Sequence, residues 1–187
     1  MKASAAKVLP IDTDLYLREA AVTDAAALYQ LIDASRKYLR EWLPFIDHSH
    51  GVSDTEQYLR VVTSPGNISD KVFVILYQKE TAGIIGYKGI DRLNNKVEIG
   101  YWLGEGFQKK DIMRRACHTL LRYAFEKMSM NRIQINVGVG NSRSSNIPKK
   151  LGFTLEGIQR DGELLNGSYH NLEVYSLLRK DWERQHP

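Results

Sequence analysis

A single cysteine, Cys117, among 187 residues excludes an internal disulfide and any metal site built from several thiolates. Set among apolar residues at helical spacing, it reads as a small core side chain rather than a nucleophile. Five prolines and fourteen glycines are scattered, so no linker, repeat or low-complexity tract stands out. No apolar run approaches the ~20 residues of a membrane span. Met1-Lys2-Ala3-Ser4-Ala5-Ala6 lacks the long apolar region of a signal peptide. A dense basic stripe is missing too. The 26 Lys and Arg against 22 Asp and Glu leave a dispersed net charge of +4. That balance argues against a nucleic-acid partner and suits a small anionic ligand. Asp47, His48 and His50 stand at a spacing too loose for a metal and better suited to lining a pocket beside Trp42 and Phe45. The expectation is a soluble, cytoplasmic protein with no metal, no membrane contact and no nucleic acid.

What is present is an ordinary globular mixture, 43% hydrophobic and 26% charged, long enough for one substantial core. One domain over residues 1–187, with its core at about 15–182, is expected. Residues 15–18 read as a short strand. Thr23 caps a helix to about Leu39, with Ala27, Leu28, Leu31 and Ile32 on one face. An aromatic turn, Trp42-Leu43-Pro44-Phe45, follows. Ser53-Asp54-Thr55-Glu56 has the spacing of a capping box and opens a helix to about Val62, which Ser64-Pro65-Gly66-Asn67 breaks. Residues 72–77 and 82–90 are apolar strands. Residues 97–103 alternate, with Val97, Ile99, Tyr101 and Leu103 on one side and Glu98, Gly100 and Trp102 on the other. The polar run 91–95 makes the last two a hairpin. Residues 111–128 form the strongest amphipathic helix, with Met113, Cys117, Leu120, Leu121, Ala124 and Met128 on its apolar face. His118, beside Arg114, Arg115 and Arg122, falls on the solvated face. Residues 132–139 alternate again. Pro148 is tolerated only in a first helical turn, which places the next helix start at or after about Ser144; Gly152 ends it. Strands at 153–160 and 169–178, joined by a polar loop at 161–168, close the chain. The order β-α-α-β-β-β-α-β-α-β-β fits an α/β or α+β domain around one sheet.

The most informative stretch is Tyr101-Trp102-Leu103-Gly104-Glu105-Gly106-Phe107-Gln108-Lys109-Lys110-Asp111-Ile112-Met113. An apolar strand enters a turn, and the turn opens the long helix. In that layout backbone N–H groups hold a phosphate at a helix N-terminus.

Five further motifs, in order, carry a family likeness over about residues 15–182. They are Val97-Glu98-Ile99-Gly100-Tyr101-Trp102-Leu103, Asn131-Arg132-Ile133, Asn141-Ser142-Arg143-Ser144-Ser145, Lys150-Leu151-Gly152-Phe153-Thr154-Leu155-Glu156-Gly157, and Asn166-Gly167-Ser168-Tyr169-His170-Asn171. The chain resembles the GNAT superfamily of N-acetyltransferases, and within it the RimJ/RimL-like branch that acetylates ribosomal-protein N-termini. In the last motif Asn171 stands where that branch usually has Asp. The resemblance implies a mixed, mostly antiparallel sheet of about seven strands with about four helices. It implies acetyl-CoA as cosubstrate and direct attack by an amine in a ternary complex. The pantetheine arm is expected to pair with backbone at Tyr101, Trp102 and Leu103, entering through a splay beside residues 132–139, and to meet the Asn141 amide. Glu163 falls where the branch places a general base, and Ser144 where it places a hydroxyl near the cofactor sulfur. Glu98 is a second carboxylate candidate. Trp42 and Phe45 would line the pocket for the acceptor, a protein N-terminal or small-molecule amine, with ribosomal-protein N-termini among the candidates. A homodimer is the branch's expectation.

The phosphate loop departs from the family pattern Q/R-x-x-G-x-G/A. Gln108-Lys109-Lys110-Asp111-Ile112-Met113 fills both small positions, with Asp111 and Met113. A carboxylate about 4 Å from a phosphate costs on the order of 1–4 kcal/mol; Lys109, Lys110, Arg114 and Arg115 stand ready to offset it. Asp111 also suits a helix N-terminus by itself, where it would occupy the N–H groups a phosphate needs. Two functions therefore stay open: an acetyltransferase, and a binding or regulatory module on the same fold with weakened or lost CoA binding.

Overall fold

The computed structural model describes residues 6–185, so all but Ala6 of the run read above for a leader lies outside the described residues. Eight strands form one sheet: β1 (Val8–Pro10), β2 (Leu15–Glu19), β3 (Lys71–Tyr77), β4 (Glu80–Asp91), β5 (Lys96–Leu103), β6 (Arg132–Gly138), β7 (Thr154–Leu165) and β8 (Ser168–Leu178). Their order is β1-β2-β3-β4-β5-β6-β8-β7. Only β5 and β6 run parallel, and they pair over just three residues, ending at Glu98 and Gln134. Beyond that point β6 continues on β8 to Gly138 while β5 continues on β4 to Leu103. The sheet therefore opens in a V at its centre, the splay expected from the family likeness. Six α-helical stretches flank it: α1 (Ala25–Ala34), α2 (Arg36–Leu39), α3 (Val52–Val62), α4 (Ile112–Glu126), α5 (Ser142–Lys150) and α6 (Arg179–Gln185).

β3 is apolar without a break because both its faces are covered. Phe73 and Ile75 join Ile85, Tyr87, Ile99 and the α4 residues Ala116, Cys117, Leu120, Leu121 and Ala124 in the larger core. Val72, Val74 and Leu76 turn the other way, onto Leu28 of α1 and Leu59 of α3. Cys117 is fully buried, as its helical spacing implied, and burial pushes its thiol far above the ordinary range. Each fully buried Leu contributes about 2 kcal/mol by leaving water. The α4 seam thus holds the helix, and with it the loop before it, firmly on the sheet.

Several elements differ from the sequence expectation, each for a local reason. β1 and α6 add a strand and a helix that were not anticipated. The first helix breaks at Ser35, whose buried hydroxyl accepts the Glu105 N–H at 3.1 Å and so ties the turn after β5 to α1. Its N-terminal contact comes from Asp24 rather than Thr23: the carboxylate accepts the Ala21 N–H at 2.8 Å. α3 is capped two residues early, at Gly51, and starts at Val52, because Asp54 accepts the His50 and Gly51 N–H groups. α5 starts at Ser142, with Asn141 rather than Ser144 as its cap: Asn141 Oδ1 accepts the Ser144 N–H at 3.1 Å. Pro148 consequently sits inside the helix. The loop expected at 161–168 is strand, since β7 and β8 continue to a two-residue turn, Asn166-Gly167, with φ of 52° and 80°. Asn-Gly is the pair that turn geometry favours. His118 is not on the solvated face; its ring lies 5.3 Å from that of Trp182 in α6. Among the described residues no helix is long and apolar enough to cross a membrane.

Candidate active site

The V between β5 and β6 opens into a cleft of about 790 Å³. Trp42, Phe45 and His48, the carboxylates of Glu98 and Glu163, and Tyr101, Asn141 and Ser144 line it. A narrower slot of about 110 Å³, bounded by Leu103, Gln108, Met113, Arg143 and Ile147, adjoins it. Trp42, Tyr101, Trp102, Asn141 and Ser144 line both. The Trp42 ring lies over Gly138, where a Cβ would stand 3.1 Å from it; glycine is what lets the indole approach the end of β6. Phe45 packs against Trp102 with ring centroids 6.5 Å apart. His50 is exposed and does not line the cleft, and its backbone carbonyl accepts the Tyr29 hydroxyl at 2.8 Å. Asp47 pairs with Arg40.

The two carboxylates differ in commitment. Glu98 Oε1 is 2.9 Å from Lys88 Nζ, and its Oε2 accepts the Asn136 amide at 3.1 Å. Glu163 is half-buried, and desolvation, its largest influence, raises its pKa; the Glu98 charge raises it further, while Lys88 and His170 pull it down. A carboxyl raised by burial beside a cleft has the character of a general base. Its aim is set by a bulge. Between Gln159 and Glu163, β7 advances four residues while β8 advances two, from Leu172 to His170. Asn171 Oδ1 accepts the Asp161 N–H at 2.9 Å inside that bulge, with Asp161 at φ 50°. Lys88 and Asn136 escaped the sequence reading, and Asn171 entered it only as a departure from the family motif. Lys88 was within reach of that reading, since a hairpin turn at 91–95 brings residue 88 opposite residue 98.

Where cleft and slot meet, Tyr101 Oη lies 3.2 Å from both the carbonyl oxygen and Oγ of Ser144. Gln108 Nε2 donates to the Leu103 carbonyl at 3.3 Å and closes the loop. Lys109 and Asp111 both take left-handed backbone, with φ of 63° and 56°. Asp111 does not cap α4 with its side chain, contrary to one expectation; its carboxylate turns back to the Arg114 guanidinium, which lowers its pKa. The first-turn N–H groups of α4 are thus left for an outside acceptor. Ile112 and Met113 send their side chains into the core, so only their backbone faces the loop. The expected cationic rim is thinner than its letters. Arg115 pairs with Asp12, and Lys110 lies over the Tyr77 and Phe107 rings at 5.4 and 5.3 Å. Lys109 is exposed, and Lys150 lies near enough to Asp111 to favour its charge.

Residues 14–154 match the family model described as acetyltransferase (GNAT) domain. The chain belongs to the GNAT acetyltransferases. A Bacillus subtilis (strain 168) protein named "Putative ribosomal N-acetyltransferase YdaF" is 35% identical over 86% of this chain and 88% of its own length. The ribosomal-protein-serine acetyltransferase of Escherichia coli (strain K12) is 28% identical over 92% and 97%. Among solved structures, RimL, a ribosomal L7/L12 alpha-N-protein acetyltransferase in complex with coenzyme A, superposes with a TM-score of 0.87 at 28% identity, over 94% of this chain and 99% of that one. The protein is an N-acetyltransferase of the RimJ/RimL-like kind, and acetyl-CoA is its cosubstrate. The residues fit that group: a free β5 edge flanks a slot, and α4 opens with N–H groups that no side chain caps.

Proposed function

We propose that this one-domain enzyme acetylates a protein N-terminal α-amine, with Glu163 as general base and Ser144 as the group that hydrogen-bonds the departing thiolate. Its relatives' names favour a ribosomal protein as acceptor, which would place the reaction in the cytoplasm, and the branch expectation of a homodimer is checked by light scattering. Acetyl-CoA supplies the acetyl group as a thioester. The phosphates are held by the N–H groups opening α4, with Gln108, Lys109 and Lys150 around them. The free edge of β5 at Tyr101, Trp102 and Leu103 receives the pantetheine arm, and Asn141, whose Oδ1 is spent on capping α5, offers its amide Nδ2. The acceptor amine enters beside Trp42 and Phe45. Glu163 removes its proton, directly or through water, and the amine attacks the carbonyl carbon in a ternary complex. Glu98, bound on both oxygens, raises the basicity of Glu163 rather than acting as the base. No cysteine lines the cleft for a covalent route.

The observation that carries this reading is the raised Glu163 carboxyl in the same cleft as the Tyr101–Ser144 pair. The test is thiol release from acetyl-CoA with a panel of N-terminal peptides and amines. Glu163→Gln should lower turnover roughly 10²–10⁴-fold at pH 7. A base works deprotonated, so the wild-type rate falls as pH drops through the raised Glu163 pKa. That acid limb should lie above the usual Glu range and vanish in the variant. No release with any acceptor, together with no CoA binding, would return the protein to the class of binding modules.

A further inference from the structure

Ser144 sits in an unusual helical turn. Pro148, four residues on, has no N–H, so the Ser144 carbonyl loses its partner within α5. Tyr101 fills the gap from β5, its Oη 3.2 Å from that carbonyl oxygen. A carbonyl only accepts, so the phenol must donate, and burial keeps the phenol protonated. The same Oη is 3.2 Å from Ser144 Oγ. One phenolic proton thus has two acceptors on a single residue, and that residue stands where the slot and the cleft meet.

We propose that the Tyr101 side chain is a positioning residue for acetyl transfer, acting through Ser144. In the resting site its proton lies on the Ser144 carbonyl. As negative charge grows on the sulfur, Ser144 turns its own O–H toward it, and the Tyr101 proton swings onto Ser144 Oγ. No covalent bond changes; one hydrogen bond replaces another, and Ser144 becomes a stronger donor because its oxygen is itself hydrogen-bonded. Pro148 makes the arrangement possible by leaving the carbonyl for Tyr101 to hold between turnovers. The role rests on the reading of Ser144 given above and adds a side-chain function to a residue expected to serve only through its backbone.

Single-turnover acetyl transfer and acetyl-CoA binding separate the possibilities in the full chain. Tyr101→Phe should slow transfer about tenfold, as loss of one hydrogen bond worth ~1.4 kcal/mol in the transition state requires. Its acetyl-CoA Kd should stay within about twofold of wild type, because the phenol meets Ser144 and not the ligand. Tyr101→Phe combined with Ser144→Ala should be no slower than Ser144→Ala alone, the sign of one residue acting through the other. A structural role is tested by Pro148→Ala, which returns an N–H to the Ser144 carbonyl. In the Tyr101→Phe background it should recover thermal stability but not rate. Wild-type rate in Tyr101→Phe, multiplicative losses in the double variant, or a rate that recovers with stability each overturn the inference. Full activity in Ser144→Ala overturns the Ser144 role and this inference together, whereas loss there with none in Tyr101→Phe overturns the inference alone.

Discussion

Asp111 places a carboxylate at the opening of α4, where the proposed function puts the phosphates, and what happens to its charge decides how costly that is. The side chain could have capped the helix or faced the phosphate. Instead it pairs with Arg114 one turn on, and both partners are partly exposed. The pair is close to neutral seen from the loop, and the left-handed backbone at Asp111 gives the turn a shape that glycine usually supplies. Removing the carboxylate alone leaves the Arg114 charge unopposed: Asp111→Gly is expected to tighten acetyl-CoA binding, by up to about tenfold, as read by calorimetry. Arg114→Ala leaves the carboxylate bare and should weaken binding about tenfold, within the ~1–4 kcal/mol of one charge at 4 Å. Asp111→Gly added to Arg114→Ala should restore most of that loss. An unchanged Kd in both Asp111→Gly and Arg114→Ala would show that the charges of this pair do not reach the bound anion. Both the intrusion and its neighbours were legible in the sequence. The pairing was not, because helical spacing allows Arg114 to reach Asp111 without requiring it, and Asp12, which draws Arg115 away, lies 103 residues distant.

At the scale of elements, the bulge in β7 turns a strand into an aiming device. Without it, the period of two would place side chains by register alone; with it, Glu163 is re-aimed into the cleft. Asn171 holds the bulge by accepting the Asp161 N–H. Asn171→Ala should lower turnover on the order of tenfold to a hundredfold through a misplaced base, with acetyl-CoA binding unchanged. Asn171→Asp keeps the same acceptor and should stay near wild type, as the branch's usual Asp would suggest; steady-state kinetics with both substrates varied reads the two apart. The segment also shows where sequence reading stops. Polar letters at 161–168 read as loop, yet cross-strand pairing carries the chain through them to an Asn-Gly turn that was itself visible as a turn pair. The amphipathic period of α4 and the alternation of β5 were legible because each buries one clear face. Short or edge elements such as β1 and α6 bury too little for their letters to show it. The α5 start was misplaced because Pro148 was judged by helix rules alone, while Tyr101, 47 residues upstream, supplies the bond that proline removes.

Over the whole molecule, the V proposed to admit the cosubstrate also divides the sheet, leaving β6, β8 and β7 joined to the rest by three parallel pairs. The outer three strands need a fastening of their own, and Glu156 supplies one. It is the extra residue of a bulge between Leu155 and Gly157. From there its carboxylate crosses β8, accepting the Ser176 hydroxyl at 2.7 Å, and meets the Arg132 guanidinium of β6 through two contacts of 2.6 Å. Arg132, in turn, is paired in register with Lys96 of β5, so the tie reaches the closed end of the V. The Arg132 contact, then the Ser176 bond, hold the Glu156 pKa down at about 2, against 4.5 for a free side chain. A depressed carboxyl stabilises the folded chain above its unfolded value, and that contribution fades as pH falls from 4.5 toward 2. The side chain is 40% exposed, so screening by solvent reduces the effect well below the full shift, to about 1 kcal/mol. Glu156→Gln should therefore lower Tm by about 2–4 °C at pH 7. The gap should hold to near pH 5 and close steadily below 4.5, as the wild type loses the same charge. Scanning calorimetry of both proteins from pH 7 to pH 3 reads this directly. A gap that stays constant across that range would mean that Glu156 serves by packing, and that the outer strands are held at the V by something other than its charge.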